Sequence, residues 1–275
     1  MPRRVPTRLL SLLLIALAAL AQRGGRFRGG PPTEAPEIPV REAEFHFIRM
    51  QYTDSPEFRR GFGFVSRSGE AFGWWAQDWP DAENHFTVGV QRLTRIDTGD
   101  PRNMRVTDKR IFDYPWMYAT QTGDWELSNA ETDQMREYLM RGGFLVTDDM
   151  WGDYEWERFR ATMNRVLPGK PIPDMVEGDA VLHVLYDIKD KDRTFIPGSR
   201  HLRRSGSGVQ VVQPPGSSPA WRAMYDDKEH MVVAVNYDTD VGDAWEFADV
   251  PYYPAEMTTL AYRYGINYII YAMTH

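Results

Sequence analysis

The chain contains no cysteine among its 275 residues. That absence excludes disulfides, thiolate metal sites, cysteine nucleophiles and a lipidated cysteine anchor. Histidine is scarce, at six residues. No two of them stand in H-x-x-x-H or H-E-x-x-H spacing, so the chain carries no zinc-hydrolase motif. There is no G-x-S-x-G elbow for a serine nucleophile, and Ser205, Ser207, Ser217 and Ser218 fall in loop sequence. No P-loop and no G-x-G-x-x-G opens a helix. Gly61-Phe62-Gly63 precedes no helical pattern, and the Ser205–Gly208 run is flexible rather than phosphate-cradling. Internal repeats are missing too, which excludes solenoids and propellers.

One apolar run is present, at the amino terminus. Arg3, Arg4 and Arg8 form a basic lead, Leu9 to Leu20 an apolar core of about 12 residues, and Ala19-Leu20-Ala21 a small-residue cleavage site. The run is short for a bilayer span. A signal peptide over residues 1–21 is therefore expected, with retention as an anchor the alternative. Val5-Pro6 continues a twin-arginine motif poorly, which favours the general secretory route. Residues 22–40, rich in Gly, Arg and Pro, read as a disordered linker. Residues 41–275 are expected to form a single domain in the periplasm or outside the cell, with no transmembrane segment after signal cleavage.

The formal net charge is −7. Taking the six Arg and two Glu of residues 1–40 from the totals of 32 and 39 leaves 26 basic and 37 acidic residues, a net −11. Such an acidic body argues against nucleic acid and anionic lipid as partners. With 42% hydrophobic residues the chain can bury a core.

Ser128 and Glu131 have capping-box spacing. Met135, Tyr138 and Leu139 then repeat at helical spacing, and Gly142-Gly143 stops the helix. Phe144 to Thr147 reads as a strand ending in Asp148 and Asp149. Phe45–Met50, Arg110–Tyr114 and Met231–Val235 read as further strands. Helices are expected at Ala82–Arg95, capped by Asp81, with Phe86, Val90 and Leu93 on one face; at Tyr154–Leu167, capped by Asp153; and from Pro254 to about Met273. Thr98–Asn103 reads as a turn-rich connection, and Val209–Val212 as a possible edge strand. Strands alternating with helices predict an α/β fold with a mostly parallel sheet.

The segments GWWAQDWPDAENHF, RLTRI, RIFDYPWMYAT, YLMRGGFLVTDDMWG and GDAWE…YRYGINYIIYAMTH resemble the bacterial domain-of-unknown-function family numbered 4159, over nearly all of residues 43–275. The resemblance implies a class I glutamine amidotransferase-like fold, a flavodoxin-like three-layer α/β sandwich. Enzymes of that fold carry a nucleophilic cysteine on a sharp turn after a central strand. The matching turn here is Thr147-Asp148-Asp149-Met150, so thiolate chemistry is excluded.

In parallel sheets ligands gather beyond the carboxyl ends of the strands. Gln51, Tyr52, Tyr114, Asp148, Asp149, Asn236 and Asp238 are expected to meet there. Asp148 and Asp149, with His183, are candidate acid–base or metal-binding groups; equally, each aspartate can cap a helix or close a turn. Asn236-x-Asp238-x-Asp240-x-x-Asp243 sets oxygens at alternate positions, which suits calcium. Gly242 is misplaced for a calcium loop, however, and the pattern also fits a polar turn. Trp74, Trp75 and Trp79 can stack on sugar rings or pack inside a loop. Two function classes follow. One is a non-catalytic binding or scaffold domain recognising an envelope protein or glycan. The other is a hydrolase or metal-dependent enzyme built on the edge carboxylates. No cofactor is indicated beyond the calcium option.

Overall fold

Strand β4 (Phe144–Met150) runs through the centre of the sheet, and every one of its residues is buried. A strand covered on both faces needs apolar residues at successive positions, and FLV supplies them. The same holds for β3 (Trp116–Ala119) and β8 (Met231–Tyr237), which flank it. Beyond β3 lie β1 (Ile48–Gln51) and then β2 (Arg102–Arg105); beyond β8 lies β7 (Ala220–Tyr225). The order is β2-β1-β3-β4-β8-β7. All neighbours are parallel except β7, which runs antiparallel to β8 at the edge. A separate hairpin pairs β5 (Leu202–Ser205) with β6 (Gly208–Val211). This computed structural model describes residues 41–57, 73–206 and 208–275. The expected signal peptide, the linker and Gly61–Gly63 lie outside them.

Five α-helices accompany the sheet among the described residues: α1 (Asp81–Thr94), α2 (Asn129–Met140), α3 (Gly152–Val166), α4 (Val241–Glu246) and α5 (Ala255–Thr274). Alternate strand residues point to opposite faces, so the sheet feeds two cores. Phe47, Trp116, Tyr118, Val146 and Ala234 pack with Phe86 and Val90 of α1, Trp245 of α4, and Leu260, Tyr264 and Tyr268 of α5. Ile48, Met50, Met117, Leu145 and Val233 pack with Met135, Tyr138 and Leu139 of α2 and with Phe159, Met163 and Val166 of α3. The protein is an α/β fold around a mostly parallel six-stranded sheet. None of the described helices is long and apolar enough to cross a membrane.

The capping box forms as expected: the Ser128 side chain accepts from Glu131 N, and Glu131 Oε2 accepts from Ser128 N at 2.7 Å. Gly142 takes a φ of +94°, which ends the turn after α2.

Other expectations are corrected. Lys109–Asp113 is a 3₁₀ turn rather than a strand, because the Asp108 side chain accepts from Arg110 N and curls the backbone. The strand starts only after Pro115. The 98–103 connection holds β2 from Arg102 onward, and β7 went unread because half-buried Arg222 breaks its apolar run. Leu93 leaves the core face of α1 and is 55% exposed. Asp81 and Asp153 lie inside the first turns of α1 and α3; the N-cap positions belong to Pro80 and Trp151.

Candidate functional site

Strand β4 carries Asp148 and Asp149 out to the carboxyl edge, where both are fully buried. Asp148 Oδ2 accepts three hydrogen bonds: from the Tyr118 hydroxyl at 2.7 Å, and from Val241 N and Gly242 N, each at 2.9 Å. The last two are orphan donors of the first turn of α4. Asp148 therefore ties β3, β4 and α4 together. Its Oδ1 has no hydrogen-bond partner. Burial pushes its carboxyl up to about 7, and the Tyr118 hydroxyl pulls the other way.

Asp149 occupies the left-handed region at φ +50°. Its oxygens accept from Gln121 Nε2 and Trp151 Nε1, and from Arg200 Nη2 at 3.3 Å. Burial raises its pKa, against the attraction of Arg200. Arg200 lies over the Trp151 ring at 4.9 Å, and the His201 ring stands 4.4 Å from Trp151. Burial, with Arg200 and Arg203 nearby, holds His201 down at about 4, so the imidazole is neutral at neutral pH.

On the α1 side, Arg49 of β1 is wholly buried. Its Nε donates to Glu83 Oε1 at 2.6 Å, and its Nη1 donates to the carbonyls of Trp75 and Gln77. The guanidinium also lies 4.8 Å from the Tyr118 ring centroid. Asp78, Asp240 and Asp243 are further buried carboxylates. Burial lifts Asp78 and Asp240 well above the ordinary range, and the neighbouring carboxylates push the same way.

The structure brings together some of the residues singled out from the sequence. The Tyr52 hydroxyl donates to the carbonyls of Thr120 and Gln121, just past β3, and Gln121 reaches Asp149. Asp238 stands at the end of β8, where its two oxygens accept from Gly152 N at 2.8 Å and Ser218 N at 2.6 Å. Asp240 Oδ1 accepts from Asp243 N and caps α4. Asn236 Oδ1 accepts from the Tyr268 hydroxyl inside the core. Trp75 is buried beside Arg49, while Trp74 is half-buried and its backbone N–H donates to Asp54 Oδ1 at 3.1 Å.

Tyr114 and His183, like Asn236, lie away from this cluster. Tyr114 precedes β3, so it sits at the amino end of the strand, against His46 and Tyr138. Its expected place on the carboxyl edge followed from the misread strand at 110–114. His183 binds Asp187 Oδ1 and the Glu177 carbonyl and makes no bond to Asp148 or Asp149. The proposed calcium set also divides: Asp238 holds α3, while Asp240 and Asp243 belong to the start of α4. Among the described residues, oxygens of Asp78, Asp243 and Glu246 lie within 4.8 Å of one another.

Sequence reading missed Arg49, Glu83, Asp78, Gln121, Trp151 and Arg200. Only Arg49 gave a signal, as a charge inside the apolar run FHFIRM. The others stand in turns or helices, and only the folded chain shows what they meet.

Comparison with curated proteins gives no match. The family described as Domain of unknown function (DUF4159) matches residues 65–273. That span takes in the whole sheet except β1, all five helices and the acidic edge, and the protein belongs to this family.

Proposed function

We propose that the protein is an exported domain of the bacterial cell envelope that binds a protein or glycan without catalysing a reaction on it. One observation carries this reading: the edge carboxylates serve as fixed acceptors. Asp148, Asp238 and Asp240 each hold backbone N–H groups at a helix start. A carboxylate acting as general acid or base must instead exchange a proton with its substrate. Export rests on the basic and apolar amino terminus. The parallel strands, taken in the order β2-β1-β3-β4-β8, follow the 2-1-3-4-5 sequence of flavodoxin-like sheets, which supports the amidotransferase-like sandwich. Half-exposed Arg200 and Trp151 offer a cation and an indole face at the rim, groups that suit sugar hydroxyls or a carboxylate on a partner.

The second reading is a hydrolase or metal-dependent enzyme. It is favoured by Asp149, which takes its positive φ at the irregular carboxyl end of β4, the segment that matches the nucleophile turn of the resembled fold. One experiment separates the two. The full chain is co-sedimented with purified peptidoglycan and crosslinked to envelope proteins in cells, beside Arg200→Ala. Retention that falls several-fold in the variant, with the glycan recovered chemically unchanged, supports binding. Fragments that appear with the wild type and vanish with Asp149→Asn replace it with hydrolysis.

A further inference from the structure

The acids of this chain are unevenly spread. From Arg193 to Tyr225 there is no Asp or Glu, but there are five arginines. Three of them, Arg200, Arg203 and Arg204, stand together where the chain leaves the carboxyl edge and enters the β5–β6 hairpin. The approach is pinned from α4 and the segment after it. Asp240 N donates to the Ile196 carbonyl at 3.0 Å, the Tyr253 hydroxyl to that of Pro197 at 2.6 Å, and Ser199 N to Asp243 Oδ2. Leu202 and Val211 then seat the hairpin on the core. Strand alternation puts Arg203 on the face opposite buried Leu202, where it is exposed. Its neighbours on that outer face are Ser205, Gly208 and Gln210.

Two of these guanidinium groups lie over rings, Arg200 over Trp151 at 4.9 Å and Arg204 over Tyr252 at 4.5 Å. Stacking fixes the guanidinium plane, and its fork of N–H donors matches a carboxylate. Arg200 gives one nitrogen to Asp149 at 3.3 Å, long beside the ~2.7–2.9 Å of a tight charged bond, so the buried acid positions this cation without using up its donors. Trp151 carries Arg200 over its ring and stands 4.4 Å from the His201 ring, so its indole is already engaged within the chain. The rim thus offers positioned cations rather than a bare platform for sugar. Protein interfaces are built round an apolar centre, and the outer face of the hairpin has no apolar side chain. A hydrated anionic polymer suits it better. We infer that Arg200, Arg203 and Arg204 form a carboxylate-binding strip whose partner is the acidic peptide stem of peptidoglycan, not its sugar backbone. This rests on the envelope-binding reading above and narrows it to one chemical class.

The test co-sediments the full chain with purified sacculi and with sacculi whose free carboxylates have been amidated with carbodiimide and ammonia. Free stem peptide and chitotetraose serve as competitors. Retention on native sacculi is expected to fall about tenfold after amidation, the loss of one good charged contact. Stem peptide should displace the protein and chitotetraose should not. Arg203→Glu, at an exposed position, should weaken retention on native sacculi at least as much while its Tm matches the wild type; Arg203→Ala should weaken it less. Arg160→Ala, on the outer side of α3, should change nothing. Retention that ignores amidation and Arg203→Glu, or that chitotetraose abolishes, overturns the inference and leaves the envelope-binding reading standing. No retention on either sacculus overturns it too, and the broader reading falls with it only where cells also yield no crosslinked envelope protein.

Discussion

Arg49 and Glu83 form the most consequential single pair. Both side chains are wholly shielded from solvent. Burial opposes the charge on Arg49; attraction to Glu83, aided by Tyr118 and Asp78, outweighs it and holds the guanidinium above its ordinary pKa. Removing one partner leaves an uncompensated buried charge, which costs about 3–5 kcal/mol, whereas replacing both with apolar groups of like volume is often neutral. Glu83→Gln is therefore expected to lose ~3 kcal/mol or more in urea unfolding. Arg49→Met combined with Glu83→Leu should recover most of that loss. Equal losses in the single and the double variant would show that burial volume, not the ion pair, decides the site. Part of this pair was legible in advance. A lone arginine in an apolar strand demands a buried acid, but which acid depends on the packing of α1 across the sheet.

Among the elements, α3 shows where local reading stops. The Asp153 expected to cap it lies one residue inside. The acceptor for Gly152 N is Asp238, 86 residues away at the end of β8. The same carboxylate holds Ser218 N ahead of β7, so one residue fixes a helix start and a strand approach. A lost cap costs about 0.5–2 kcal/mol, and here two backbone donors lose their acceptor. Asp238→Ala is expected to lose ~2–3 kcal/mol in chemical denaturation, and Asp238→Asn clearly less, since its amide oxygen still accepts. Ser128→Ala, by contrast, breaks a capping box contained in four residues and should cost about 1 kcal/mol. A smaller loss for Asp238→Ala than for Ser128→Ala would show that α3 starts without help from β8. The contrast explains why α2 and β4 could be read closely while β2, β7 and the cap of α3 could not. The first two rest on spacing within one segment. The others rest on partners that only tertiary folding supplies.

For the whole molecule, buried acids shape the response to pH. Burial is the main cause that lifts Asp124 to about 6 and Asp148 and Glu155 to about 7. The folded protein therefore keeps protons that the unfolded chain releases from about pH 4 upward. Stability from these groups is full below their unfolded pKa values and is lost as pH rises through the folded ones, leaving little change above about pH 7. Asp149, Asp78 and Asp240 shift the same way. His201, held down at about 4, acts oppositely, because the folded state refuses a proton that the unfolded chain accepts below about 6.5. His46, lowered chiefly by burial, joins it. The acids outnumber the two imidazoles, so the net slope between pH 4.5 and 6.5 is negative, about 1.4 kcal/mol per pH unit for each surplus proton. Calorimetry is expected to find a higher Tm near pH 5.5 than at pH 7.5. Glu155→Gln still offers an oxygen to Trp151 N, the bond that Glu155 Oε2 accepts at 2.7 Å, yet removes one titrating acid. It should flatten the curve and gain most at pH 7.5. A Tm that climbs steadily from pH 5 to 7.5 in both proteins would mean that the carboxyl edge is hydrated or neutralised by a bound cation, and calcium added at pH 7.5 then decides which, since only the second case makes the Tm depend on the ion.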